Sequence, residues 1–116
     1  MSFKIVPLPS FLKELKRLSK KYHSLKDDLA KLGVDLNINP RSGTPLGKNC
    51  YKIRLQISSK GKGKSGGARV ITHLLVTVKD ETLYLLKIYD KNEQESISEA
   101  ELSGLLKSIP LDDDLS

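Results

Sequence analysis

The chain has 116 residues, 38% hydrophobic and 29% charged, with a formal net charge of +6. That is the size and composition of one soluble, folded domain with room for one active surface. No apolar run approaches the roughly 20 residues of a membrane span, and the N-terminus MSFKIVPLPS lacks the long apolar stretch and cleavage site of a signal peptide. With one cysteine, Cys50, and two histidines, an internal disulfide is excluded and a protein-built metal site is not expected. A reducing cytoplasm fits, and no cofactor is expected.

The charge is unevenly placed. Residues 1–47 carry +5, residues 48–91 carry +7 and residues 92–116 carry −6. A dense basic middle segment points to a polyanionic partner, RNA or DNA, although a solvated basic face would read the same.

In chain order, Phe3, Ile5 and Leu8 predict a short strand, ended by Pro7 and Pro9. Ser10 is placed to cap a first helix, in which Phe11, Leu15, Leu18 and Tyr22 recur at helical spacing. Ser24 with Asp27 resembles a capping box, and Leu25, Leu29, Leu32 and Leu36 make the stripe of a second helix. A loop, NINPRSGTPLGKN, is expected next.

Three strands follow. From Tyr51 to Ile57 apolar and polar residues alternate, with Ile53, Leu55 and Ile57 on one face and Lys52, Arg54 and Gln56 on the other. The stretch SSKGKGKSGG predicts a flexible basic loop. Segments 68–78 and 82–89 are apolar on both faces, so they are expected to be central and covered, joined by the tight turn KDE. Ser98 with Glu101 caps a last helix carrying Leu102, Leu105, Leu106 and Ile109, and Pro110 helps stop it. The predicted order is β-α-α-β-β-β-α. This is an α+β domain over residues 1–110, with a helix hairpin on a small, mostly antiparallel sheet and an acidic tail over 111–116.

A turn centred on Asp80 sets Arg69 opposite Lys91, Ile71 opposite Tyr89 and His73 opposite Lys87. Directly opposed residues share a face, so Arg69, His73, Lys87, Tyr89 and Lys91 cluster. Lys52 and Arg54 join them only if the preceding hairpin keeps register, since a one-residue slip reverses the face. Several fixed cations with a phenol suit metal-free RNA cleavage. Cations stabilise the charge that grows on the phosphate as the 2′-hydroxyl attacks, arginine grips two phosphate oxygens, and Tyr89 would stack on a base. Proton transfer would fall to His73 or a lysine. Against this, Lys87 and Tyr89 also read as ordinary strand residues with polar ends, His73 as a structural histidine and Cys50 as incidental. The glycine-lysine loop lacks the spacing of a phosphate-binding P-loop.

The run Lys60-Gly-Lys62-Gly-Lys64-Ser-Gly-Gly-Ala-Arg69-Val-Ile, followed by Ile88-Tyr89-Asp-Lys91-Asn92-Glu93, resembles the HigB branch of the RelE/ParE toxin superfamily. Tyr51-Lys52-Ile-Arg54-Leu is similar to the first core strand of RelE-like toxins. The resemblance implies a type II toxin, a ribosome-dependent endoribonuclease (an mRNA interferase) that inhibits translation. It implies a catalytic set of Arg69, Lys91, Arg54 and Lys52, to which the strand pairing adds His73. It implies RNA contacts from Lys60, Lys62 and Lys64, to which the strand pairing adds Lys87 and Tyr89, with Asn92 expected to bind RNA beside them. It also implies a cognate antitoxin of helix-turn-helix type from an adjacent gene, and contact with operator DNA only through that antitoxin. The superfamily leaves two alternatives: a ParE-like, non-enzymatic inhibitor of DNA gyrase, and an RNA-binding module without catalysis. Asn92 stands where some relatives carry arginine, Ala68 where an aromatic is common, and the segment Gln-Glu-Ser-Ile-Ser offers no tyrosine.

Overall fold

The computed structural model describes residues 2–110. The acidic tail expected at 111–116 lies outside the described residues. Strand β1 (Ser2–Pro7) leads into helix α1 (Pro9–Lys21) and helix α2 (Leu25–Ile38). Strands β2 (Thr44–Gly47), β3 (Cys50–Leu55), β4 (Ala68–Val76) and β5 (Asp80–Asp90) follow, and helix α3 (Glu99–Lys107) comes last. The five strands form one mixed sheet in the order β1-β5-β4-β3-β2, in which only β1 and β5 run parallel. The α+β architecture expected from the sequence is therefore present, with one more strand than expected. No helix among the described residues is long and apolar enough to cross a membrane.

The added strand, β2, sits in the segment expected to be a loop. Its sequence, TPLG, carries no strand pattern. It forms because Lys48 and Asn49 both take positive φ (55° and 58°), the geometry of a tight two-residue hairpin turn, and fold Thr44–Gly47 back on β3. Helix α1 starts one residue before the expected cap. Pro9 presets the first helical φ, and Leu8, bonded through its N–H to the Leu85 carbonyl at 3.0 Å, stands at the N-cap with no side-chain cap. Ser98 accepts from the Glu101 N–H at 3.1 Å, as the capping pattern predicts.

Two apolar clusters hold the layers together. The larger joins Phe11, Leu18, Leu25, Leu32 and Leu36 of the helix hairpin to Ile53, Val70, Leu74, Leu83 and Ile88 of the sheet. The smaller joins Leu102 of α3 to Ile71, Leu86 and Tyr89 on the opposite face. Full burial of each such aliphatic side chain contributes roughly 1.5–3 kcal/mol. Strands β4 and β5 are central and covered on both faces, as their unbroken apolar runs require.

The β4–β5 register differs from the expected one by three residues next to the turn and by two beyond a bulge. Thr77 closes the turn, its N–H on the Asp80 carbonyl at 2.8 Å and its Oγ1 accepting from the Asp80 N–H at 3.0 Å. The turn thus centres on Val78 and Lys79 instead of Asp80. Leu86 then forms a bulge, because Thr72 pairs with Leu85 while Ile71 pairs with Lys87. Below the bulge Arg69 faces Tyr89 and Ile71 faces Lys87; above it His73 faces Tyr84. Below the bulge the slip is two, which keeps Arg69, Ile71, Lys87 and Tyr89 on their expected face; above it the slip is three, which turns over the β5 residues before Leu86.

Candidate nucleic-acid interface

The β3–β4 pairing decides the conditional part of the site. Cys50 pairs with His73, Lys52 with Ile71 and Arg54 with Arg69. Lys52 and Arg54 therefore share the α3-facing side of the sheet with Arg69, His73, Lys87 and Tyr89. Lys91 lies one residue beyond β5. It is not opposite Arg69, and its N–H instead donates to the Gly67 carbonyl at 3.1 Å.

β2 stops pairing at Thr44–Lys52, so β3 continues with a free edge past Lys52. A groove opens there between β3 and α2. One part, about 230 Å³, is lined by Lys31, Leu32, Arg54, Gln56 and Lys64 among others. The adjoining part, about 400 Å³, adds Lys52, Ile53 and Thr44. Arg54 and Lys64 border both parts, with Asp35 on the opposite wall.

The loop between β3 and β4 was expected to be flexible, yet its returning limb is tied at four successive carbonyls. The Arg69 guanidinium donates to Lys64 O (3.0 Å) and Ser65 O (3.4 Å). The Lys60 ammonium donates to Gly66 O (2.8 Å), and the Lys91 N–H takes Gly67 O. Gly67 passes against the neck of the hairpin, where a Cβ would meet Leu55 O at 2.1 Å. With its carbonyls turned inward, the limb leaves the Lys62 and Lys64 side chains exposed.

The cations nominated from the sequence thus divide into two groups. Arg69 is 5% exposed and works inward on the loop. The Lys60 side chain is 6% exposed and ion-paired to Asp90 at 2.8 Å. Lys87 pairs with Glu101 of α3, and Lys91 with Glu95 at 3.1 Å. Lys52, Arg54, Lys62 and Lys64, by contrast, have no side-chain hydrogen bond or ion pair to any described residue, and three of them border the groove. Asn92 is exposed beside the loop.

Two expected roles do not match the geometry. Tyr89 is buried with Ile71, Leu86 and Leu102, its hydroxyl has no partner, and burial pushes its phenol up, so no ring face is open to a base. His73 stands four residues along β4 from Arg69, about 13 Å. Its Nδ1 lies 3.5 Å from the Cys50 sulfur. Burial lowers the imidazole pKa and raises that of the thiol. Both shifts favour the neutral forms, and His73 lines neither part of the groove.

Sequence reasoning passed over two buried carboxylates that build this region. Asp90 is fully buried and accepts from Tyr22 Oη (2.6 Å), Lys60 Nζ (2.8 Å) and the Asn92 N–H (3.0 Å). Burial alone would raise its pKa; the Lys60 and Tyr22 donors overcome this and hold it below the usual carboxylate range. Its one signal in the sequence is an acid at the end of an apolar strand, inside a cationic stretch. Asp28 accepts from Ser58 Oγ (2.6 Å), Ser58 N–H (2.9 Å) and Ser24 Oγ (2.8 Å), joining α2 to the start of the loop. Burial opposes its ionisation, and these serine donors again leave its pKa lowered. Ser24, expected as a capping-box residue, has this tie in place of a cap bond.

No protein-family model matches the chain. Among solved structures the fold is similar to that of a free-state, double arginine-to-alanine variant of the Escherichia coli toxin RelE. The TM-score is 0.60 at 21% identity, over 95% of this chain and 100% of that one. The chain has a RelE-like fold.

Proposed function

We propose that this chain is a translation-inhibiting toxin of the HigB type that cleaves messenger RNA on the ribosome. The observation that carries the reading is the set of unpaired cations, Lys52, Arg54 and Lys64, along one open groove, with Lys62 exposed on the same loop. Every other nominated cation already has an internal partner. Unpaired cations in a folded, charge-balanced neighbourhood are free to take phosphates.

The chemistry assigned to the groove is attack of a ribose 2′-hydroxyl on the adjacent phosphate. The hydroxyl loses its proton as the P–O5′ bond breaks, leaving a 2′,3′-cyclic phosphate and a 5′-hydroxyl that takes up a proton. Arg54 donates two parallel hydrogen bonds to phosphate oxygens. Lys52 and Lys64 stand beside it where negative charge grows in the transition state. Because the loop is pinned, Lys64 is set in place before RNA arrives, and little reorganisation is left for the reaction itself. The His73 imidazole meets the Cys50 sulfur through Nδ1, and burial disfavours its protonated form, so proton transfer is assigned to the groove lysines. A cationic groove of this kind also suits an acidic antitoxin segment that folds across it, from a helix-turn-helix protein encoded beside the toxin.

Primer extension on messenger RNA in translating ribosomes tests the reading. The wild type is expected to produce discrete 5′ ends that the folded Arg54→Ala/Lys64→Ala variant does not. No cleavage by folded wild-type protein, or equal cleavage by the variant, rejects it.

A further inference from the structure

Three hydrogen bonds meet at the buried Asp90 carboxylate, from Tyr22 at the end of α1, from Lys60 of the basic loop and from the Asn92 N–H, and the exposed Lys21 ammonium lies 3.9 Å away. The Lys60 ammonium is shared between Asp90 and the Gly66 carbonyl, and it lies 5.0 Å from the centre of the Tyr22 ring. We infer that Asp90 is a positioning residue of the RNA site, an anionic post that holds Lys60 inward so that the loop presents Lys64 to the groove. The inference rests on the reading of the groove as an RNA-cleaving site.

Lys60 links the carboxylate to the loop. An ammonium on a four-carbon stem is ordinarily hydrated and mobile. Here it is 6% exposed, so it stays buried only while a carboxylate and a carbonyl compensate its lost hydration. Removing the carboxylate charge sends Lys60 back to water and releases Gly66. Lys64 lies two residues from that tie, and the limb is then held near it only through the Lys64 and Ser65 carbonyls, by Arg69 and by the Gly67 N–H at 3.3 Å. Displacing a catalytic group by about 1 Å is enough to slow a reaction by roughly 10²-fold. Asp90 touches no substrate in this account; it acts through Lys60 and the loop backbone.

Tyr22 gives an internal control. Tyr22→Phe removes one hydrogen bond to Asp90 but leaves the Lys60 tie and the ring beneath it. It should lower stability and leave cleavage, measured on fully folded protein, within about twofold of wild type. Asp90→Asn should slow single-turnover cleavage of ribosome-bound messenger RNA by about tenfold or more, with RNA affinity within about twofold. Amide hydrogen exchange should rise across residues 61–67 and not in β4 or β5. Lys60→Met should slow cleavage equally. The double variant Lys60→Met/Asp90→Asn should be more stable than Lys60→Met, because no lone charge is buried, yet just as slow.

A purely structural role predicts instead that rate follows stability through the whole series. That result would overturn the inference, as would Asp90→Asn cutting at the wild-type rate. If Asp90→Asn does not fold, the comparison of Lys60→Met with the double variant decides alone. If wild-type protein cuts no RNA, the functional reading fails. If wild type cuts and the clamp variants cut equally well, only the inference fails.

Discussion

Replacing Lys60 by methionine keeps the buried stem and removes only the ammonium, which makes it the most informative test of the interior. The Lys60 and Asp90 charges are 2.8 Å apart and nearly or fully buried, at 6% and 0% side-chain exposure. At an effective dielectric constant near 20, their attraction is about 6 kcal/mol before desolvation is counted. Removing Lys60 leaves the buried Asp90 with only the exposed Lys21 ammonium, 3.9 Å away, as a cation, and breaking such a buried pair has a net cost of about 3–5 kcal/mol. A domain of this size has about 5–15 kcal/mol in all, so the variant should lose a large share of its stability. The pH dependence is specific. In the wild type the Asp90 pKa is depressed, so its contribution is present above the unfolded value of about 3.9 and lost as pH falls through the folded value. Without Lys60, the folded pKa of Asp90 rises, and acid relieves the stranded charge. The gap between wild type and variant should be widest at neutral pH and narrow toward pH 4. Urea unfolding at both pH values, with unchanged m, measures it. A loss below about 1 kcal/mol that is the same at both pH values would refute the buried-pair reasoning.

The remaining predictions concern the loop and the groove. Arg54→Ala and Lys64→Ala should each weaken binding of a single-stranded RNA oligonucleotide and lower the salt slope by about 0.7 per lost phosphate contact, read by fluorescence titration across a salt series; an unchanged slope counts against direct contact. Gly67→Ala places a Cβ 2.1 Å from Leu55 O and 3.1 Å from Ile57 N, both backbone, and should cost about 1–3 kcal/mol or more, seen as a lower urea midpoint; a neutral result would mean the hairpin neck yields freely. His73→Gln should leave cleavage within about twofold, since the imidazole meets the Cys50 sulfur and lines neither part of the groove; a tenfold loss in a rate assay would return the histidine to the chemistry.

Much of the frame was legible in the residues. The alternation of Ile53, Leu55 and Ile57 against Lys52 and Arg54 assigned faces correctly, because a strand repeats every two residues. The apolar runs of β4 and β5 announced their central positions. What escaped were features set by single local or distant contacts. The Thr77 hydroxyl moved the turn, and the bulge at Leu86 restored the faces below it. β2 followed from two positive φ values in a segment with no strand pattern. The inward work of Lys60 and Arg69 depends on carbonyls and a carboxylate that come together only in the fold, so a row of lysines and glycines read as a mobile loop. Composition marks a cation; only packing tells whether it is already spent.

The central claim is that the groove cuts RNA through the neighbouring 2′-hydroxyl. The direct measurement is cleavage of a ribosome-bound messenger RNA with a single 2′-deoxy substitution at the mapped cleavage position. The account predicts that cutting there stops, while the all-ribose message is cut and leaves a cyclic phosphate end. Continued cleavage at the substituted position would contradict the chemistry. An uncut all-ribose message, with gyrase supercoiling blocked by the same protein, would contradict the function.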